Sequence, residues 1–426
     1  MLEKLKKITS GRKKLIKNWG ALSFLQVSNY LFPLITLPYI VRVLGPEKYG
    51  LVNFAAAFIG YFVTVSDYGF NLSATKEISI NRENKSNINI IFSSVIFTKI
   101  FLGILAVIFM ILTVQLFSIF SRYQELYYIT FGIVIGNILF PQWFFQGVED
   151  MKYITIINFI VRLLGTVSIF ALIKIQNDFL ILAAINSFVQ ILVGIVGLLL
   201  VIKKFSVKLI YPGFEKIKVQ LKQGAYLFKS TIAINLYTNS NTFILGLLTN
   251  EQVVGYYSAA DKIRIAAQNL LGPVSQSIYP HVNYLIQQSK EKFLRFNSKL
   301  LKMQGIFAFF ISLLVFLFAR PMGNILFGAE FIASVYVLKI LAWLPFVISI
   351  SNVYGIQTML PLNFEKQFFN MVALAAVINL VLLFSLIPHL SEIGAAISFL
   401  ATEIFVTISM VAFCEKKGHS LINYDV

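Results

Sequence analysis

Runs of about twenty mostly apolar residues recur along the whole sequence, and that is the length a helix needs to cross the hydrocarbon core of a bilayer. A backbone in lipid must satisfy its own hydrogen bonds, so such runs are expected to be helices, not irregular chain. The 426 residues are 58% hydrophobic and only 13% charged, against roughly a quarter charged in a soluble domain. No stretch between the runs is long enough to fold as a soluble domain of its own. The fold class expected is an all-α polytopic membrane protein of about twelve transmembrane helices. The first six spans are placed at 19–41, 51–73, 91–117, 127–147, 153–174 and 178–202. The second six are placed at 225–248, 254–284, 302–319, 331–360, 366–387 and 392–413. The runs at 254–284 and 331–360 exceed one straight crossing. Pro273, Pro280 and Pro345 within them predict kinks or tilt.

The formal net charge of +17 would suggest nucleic acid in a soluble protein. Here Lys and Arg gather at the N-terminus, over 203–222 and over 290–302. Under the span placement, these segments and Lys76, Arg82, Lys85, Lys152, Lys366, Lys416 and Lys417 fall on one side. This is the positive-inside pattern, with both termini cytoplasmic. No basic groove interleaved with aromatics appears, so nucleic acid is not expected as a partner. One cysteine, Cys414, allows no internal disulfide, and His281, His389 and His419 match no metal-ligand spacing. The basic start and long first apolar run read as an uncleaved span and not as a removable leader.

The longest polar stretch between spans, KKFSVKLIYPGFEKIKVQLKQG at 203–224, lies at the midpoint. It divides the chain into a six-helix bundle at 1–202, a basic cytoplasmic linker at 203–224 and a second six-helix bundle at 225–426. A faint repeat agrees: LGPEKYGLVNFAA from Leu44 is similar to LTNEQVVGYYSAA from Leu248, with a one-residue gap. Internal repeats of this kind are common among transporters, whose halves rock around a shared site. GIVIG at Gly132–Gly136 fits a close helix–helix contact.

Charges at bilayer depth are costly and mark function or a partner. Span 5 carries Asn158, Arg162 and Gly165 on one face, and span 8 carries Asp261, Arg264, Gln268, Gly272 and Ser275, with Lys262 beside them. Span 2 shows Asn53, Ala57, Gly60, Thr64, Asp67 and Asn71 in a stripe; span 7 shows Thr231, Asn235, Thr238 and Thr242. Lys339 and Glu403 lie inside spans 10 and 12. Such stripes face one another or water. Lys99 and Lys229, within about two turns of the cytoplasmic ends, are expected to snorkel to the interface. Asp261 and Arg264, at i and i+3, are also able to neutralise each other. The central charges lean basic. A water-filled cavity of that sign attracts a phosphate- or carboxylate-bearing solute, whereas one for drug cations would lean acidic. Prolines in span 1, Pro33 and Pro38, would let it bend between inward- and outward-open states.

No phosphate-cradling, nucleophile-elbow, zinc-protease or dinucleotide motif is present. The outer loops are short, which disfavours a glycan polymerase with a catalytic loop. An enzyme is therefore not expected, and no cofactor.

LPYIVRVLGPEKYG (Leu37–Gly50) and SDYGFNLSATKEIS (Ser66–Ser79) resemble the opening of the polysaccharide biosynthesis proteins, the O-antigen and capsule repeat-unit flippases. PQWFFQGVEDMKYI (Pro141–Ile154), IYPHV (Ile278–Val282) and YGIQTMLPL (Tyr354–Leu362) resemble later family segments, in the same order. The resemblance implies two six-helix bundles around a central cavity, in the multidrug/oligosaccharidyl-lipid/polysaccharide exporter superfamily. It implies an undecaprenyl-diphosphate-linked glycan as substrate, moved from the cytoplasmic to the outer leaflet of a bacterial plasma membrane. Glycan polymerase and chain-length machinery are candidate partners. Arg42 and Asp67 fall in the matched motifs; Arg42 also reads as a snorkelling residue at a helix end. The expected substrate-binding set is Arg42, Arg162, Lys262, Arg264 and Lys339. Asp67, Asp261 and Glu403 are the expected counter-ions or the carriers of proton or sodium coupling. A lipid II flippase and a cation-coupled multidrug antiporter of the same superfamily are the alternatives.

Overall fold

Helices carry almost the whole chain, and no strand occurs among the described residues. The computed structural model describes the backbone over 2–421. It describes side chains from Leu31 onward, except at positions scattered over 223–238 and 273–280. Lys229, Thr231, Thr238, Pro273, Pro280 and the side chains of the N-terminal basic cluster lie outside that description. Among the described residues, eight helices are long and apolar enough to cross a membrane. Folding leaves many of their large apolar residues uncovered, among them Phe109, Phe188, Leu317 and Ile408. Water would penalise such a surface and lipid does not. The chain is a multi-pass membrane protein.

Two of the long helices are interrupted. The first, Leu2–Asp67, turns at Gly45, whose φ of 69° only glycine adopts without strain. The last, Glu365–Lys416, turns at Ser391 (φ 47°) and folds back as a hairpin. Asn379 on one arm donates to Thr402 on the other at 3.2 Å. A Cβ on Gly394 would meet the Leu386 carbonyl at 2.6 Å, so the arms touch at the backbone. The long runs expected to kink are broken outright: Glu251–Asn269 gives way to Gly272–Gln288, and Ile332–Leu341 to Leu344–Tyr354. In both, a proline sits in the first turn of the second helix, where no N–H is needed. The polar stretch at 203–224 is only partly a linker. Past Gly213, at φ 77°, the chain is helical again over Phe214–Thr238.

The chain divides into two compact units, one of residues 1–36 and 55–232, the other of 37–54 and 233–426. The core of the first is aromatic, with Phe92, Trp143, Phe144 and Phe145 fully buried among Phe70, Ile78 and Ile154. Its closest helix pair is set by GIVIG. A Cβ on Gly136 would lie 2.3 Å from the Gln190 backbone, and one on Gly194 2.6 Å from the Gly136 carbonyl. The motif is a packing device, as small residues in membrane helices usually are.

In the second unit the two repeat segments touch each other. A Cβ on Gly50 would collide with the Glu251 carbonyl, and one on Gly255 with the Pro46 carbonyl. In the repeat, Gly50 matches Gly255 and Glu47 matches Glu251, so the contact is nearly reciprocal. Tyr49 and Tyr256 both set an edge against Phe331, at 6.3 and 5.9 Å between centroids. This contact draws 37–54 into the second unit.

Candidate functional site

The first unit buries Lys99 against Asp67, and the second holds a half-buried Arg264 against Asp261. In the first unit the helix Lys85–Leu116 carries Lys99 fourteen residues past its start, about 21 Å along the axis. The expectation that Lys99 snorkels fails, because its ammonium is buried and held by protein acceptors. Its side chain is 1% exposed, with Nζ 3.4 Å from Asp67 Oδ1. Nζ also donates to the Asn137 carbonyl at 3.0 Å and to Asn137 Oδ1 at 3.3 Å. Three acceptors meet the three hydrogens of one ammonium.

Both partners come from helix breaks. The helix ending at Asp67 runs into Tyr68 and Gly69, both with positive φ (46° and 77°). The helix Gly132–Leu139 stops before Pro141, which lies four residues past Asn137 and has no N–H to give to its carbonyl. Lys99 supplies the missing donor. Asn71 Nδ2 takes the other Asp67 oxygen at 2.8 Å.

The same contact region joins two of the family-like segments. Thr75 Oγ1 lies 3.2 Å from the Trp143 carbonyl and 3.3 Å from Gln146 Oε1. Gly147 leaves no room for a Cβ against Ile78. Arg82 pairs with Glu149 at 3.2 Å at the edge.

In the second unit Arg264 closes on Asp261, with Nε at 2.8 Å and Nη2 at 2.7 Å from one oxygen. Nη1 donates to Gln268 at 2.7 Å, and the guanidinium lies 5.2 Å from the Phe399 ring centroid. Glu403 is buried one turn beyond Phe399. Lys262, on the same helix as Arg264, is exposed and makes no ion pair among the described residues. Asn379 also reaches Asn241 at 3.4 Å.

Of the other candidates, Arg42 and Lys339 belong to the second unit and Arg162 to the first. Arg42 donates to the Ile325 carbonyl, at the C-terminal end of Ala319–Leu326, where carbonyls lack helical partners. Lys339 is half-buried with its ammonium 5.9 Å from the Phe316 ring centroid. Arg162 is half-buried on Lys152–Leu172, whose Asn158 and Gly165 are buried. Gly165 meets Val189, so that part of the polar face is a helix contact. In the span 2 stripe, Asn53 and Thr64 donate to carbonyls four residues back. Sequence reasoning missed Asn137 and Lys99 as partners of Asp67; Pro141 was the available signal.

A family model described as "Polysaccharide biosynthesis protein" matches residues 15–286. The chain belongs to the polysaccharide biosynthesis protein family. A protein of Escherichia coli (strain K12) named "Putative O-antigen transporter" is 35% identical over 406 residues, 95% of this chain and 98% of that one. Among solved structures, an inward-facing multidrug resistance MATE family transporter of the MOP superfamily gives a TM-score of 0.72 at 14% identity. That match covers 93% of this chain and 97% of the other. The lipid II flippase MurJ, inward closed, gives 0.56 at 15% identity, over 94% and 87%. At these identities the structures establish the fold alone.

Proposed function

We propose that this protein is a flippase for undecaprenyl-diphosphate-linked oligosaccharide repeat units, moving them to the outer leaflet of a bacterial plasma membrane by alternating access. The observation that carries this reading is the end-to-end match to a relative named as an O-antigen transporter. The charge arrangement supports it. Arg264 is already paired, and Lys262 beside it is exposed and makes no ion pair among the described residues. A diphosphate approaching that helix meets net attraction, which strengthens where water is scarce. Arg162 and Lys339 are the further substrate contacts of this reading, with Glu403 as coupling carboxylate.

The topology of the proposal has twelve crossings and cytoplasmic termini. Eight apolar helices, with the two turned ones counted twice, make ten; the segments 214–248 and 251–288 make twelve. An even count leaves both ends on one side, and the basic loops choose that side.

The test is a deletion paired with an assay in vesicles. Loss of the gene should strand lipid-linked repeat units on the cytoplasmic face, and intact surface glycan would refute the reading. In proteoliposomes, Arg162→Ala should abolish translocation and Arg162→Lys keep part of it, because charge is the requirement. Equal rates in the two variants would remove Arg162 from the site.

A further inference from the structure

A groove of about 790 Å³ runs along one face of Lys290–Leu317 in the second unit, within the size range of pockets that take apolar ligands. Its walls include Ile306, Phe309 and Phe310, facing Phe346 and Ile350. The three segments around it are tied together. The Phe346 N–H donates to Ser312 Oγ at 3.1 Å, and Thr407 Oγ1 to the Val347 carbonyl at 3.2 Å. The groove is therefore a built furrow and not a gap between loose helices.

The ends and the length of the groove define what fits it. Lys302 lines one end, and Lys290, Lys292, Arg295 and Lys299 precede it on the same helix. From Lys302 to Phe310 the helix rises about 12 Å, close to the roughly 15 Å of one leaflet's hydrocarbon. Gly305 stands inside the groove, and a Cβ there would meet nothing within 4 Å. Glycine is a poor residue for a helix interior, and no neighbour demands it here. Its effect is to leave the furrow open.

We propose that this groove seats one acyl chain of an anionic phospholipid, with the headgroup phosphate at Lys302. A chain rooted at a lysine and ending within one leaflet matches a bilayer phospholipid, whereas a polyprenyl chain long enough to span the membrane overruns the furrow. The proposal does not rest on the transport reading.

The test uses the purified full-length protein in detergent, titrated with phosphatidylglycerol or phosphatidylcholine of identical chains. Binding is read from retained lipid in native mass spectrometry and from the rise in thermal midpoint. Wild type should favour phosphatidylglycerol by about fivefold, the scale of one basic residue at an anionic headgroup. Lys302→Gln should erase that preference while both lipids still bind. Gly305→Phe should weaken both roughly tenfold by filling the furrow, with Gly305→Leu as the milder version should Phe fail to fold. Leu314→Phe, at an exposed position outside the groove, should behave as wild type. A surviving preference in Lys302→Gln, or unchanged binding in a folded Gly305 variant, overturns the proposal. So does polyprenyl phosphate displacing phosphatidylglycerol at equal concentration, which would give the groove to the substrate's tail.

Discussion

The two units hold their central cations in opposite ways. In the first, Lys99 is 1% exposed and ties together three segments distant in sequence, through Asp67 and both oxygens of Asn137. In the second, Arg264 is 11% exposed and takes Asp261 and Gln268 from its own helix, with the face of Phe399 against it from another. The acids are alike, at 18% and 19% exposed. The wiring differs, and so does what each pair can do. Lys99 is tertiary structure. Arg264 is a charge held in place largely by its own helix.

That contrast predicts unequal costs. Asp67→Asn should be the most damaging change, at about 3 kcal/mol, because it leaves a buried ammonium without its counter-ion. Thermal unfolding of the purified protein measures it. Adding Lys99→Met should recover more than half, and strict additivity of the two changes would break the comparison. Asp261→Asn should cost only about 1 kcal/mol, since Arg264 keeps Gln268 and its partial exposure. Under the transport reading its larger effect falls on translocation, measured in proteoliposomes. A loss of stability equal to that of Asp67→Asn would make both pairs structural. Smallest of the three is Pro141→Ala, at roughly 0.5–1 kcal/mol. It restores an N–H that competes with Lys99 for the Asn137 carbonyl, and its effect should vanish in a Lys99→Met background.

These two pairs also mark how far the sequence could be read. Asp261 and Arg264 lie three residues apart on one helix, so spacing alone exposes the pairing. Asp67 and Lys99 are 32 residues apart, and no periodicity links two helices. The apolar run suggests a span from residue 91 with Lys99 near an interface, whereas Lys99 is buried against acceptors from two other segments. The long apolar helices were legible from hydropathy, and GIVIG from its small residues. The faint repeat was legible as similarity between Leu44 and Leu248, but its realisation as a backbone contact at Gly50 and Gly255 was not. Close approach of two helices leaves no trace in sequence beyond a pair of glycines.

The three-way hold on Lys99 has a consequence for how the protein is made. Asn137 follows Lys99 by 38 residues, about 2–8 s of synthesis at 5–20 residues per second. During that interval the lysine-bearing helix must enter the membrane with Asp67 already made and the second partner still on the ribosome. The ammonium has one acid and two hydrogens without acceptors until the 132–139 helix arrives. An ordered insertion of the first unit is the expected consequence, with Lys85–Leu116 reaching its final packing only once Gly132–Leu139 has joined it.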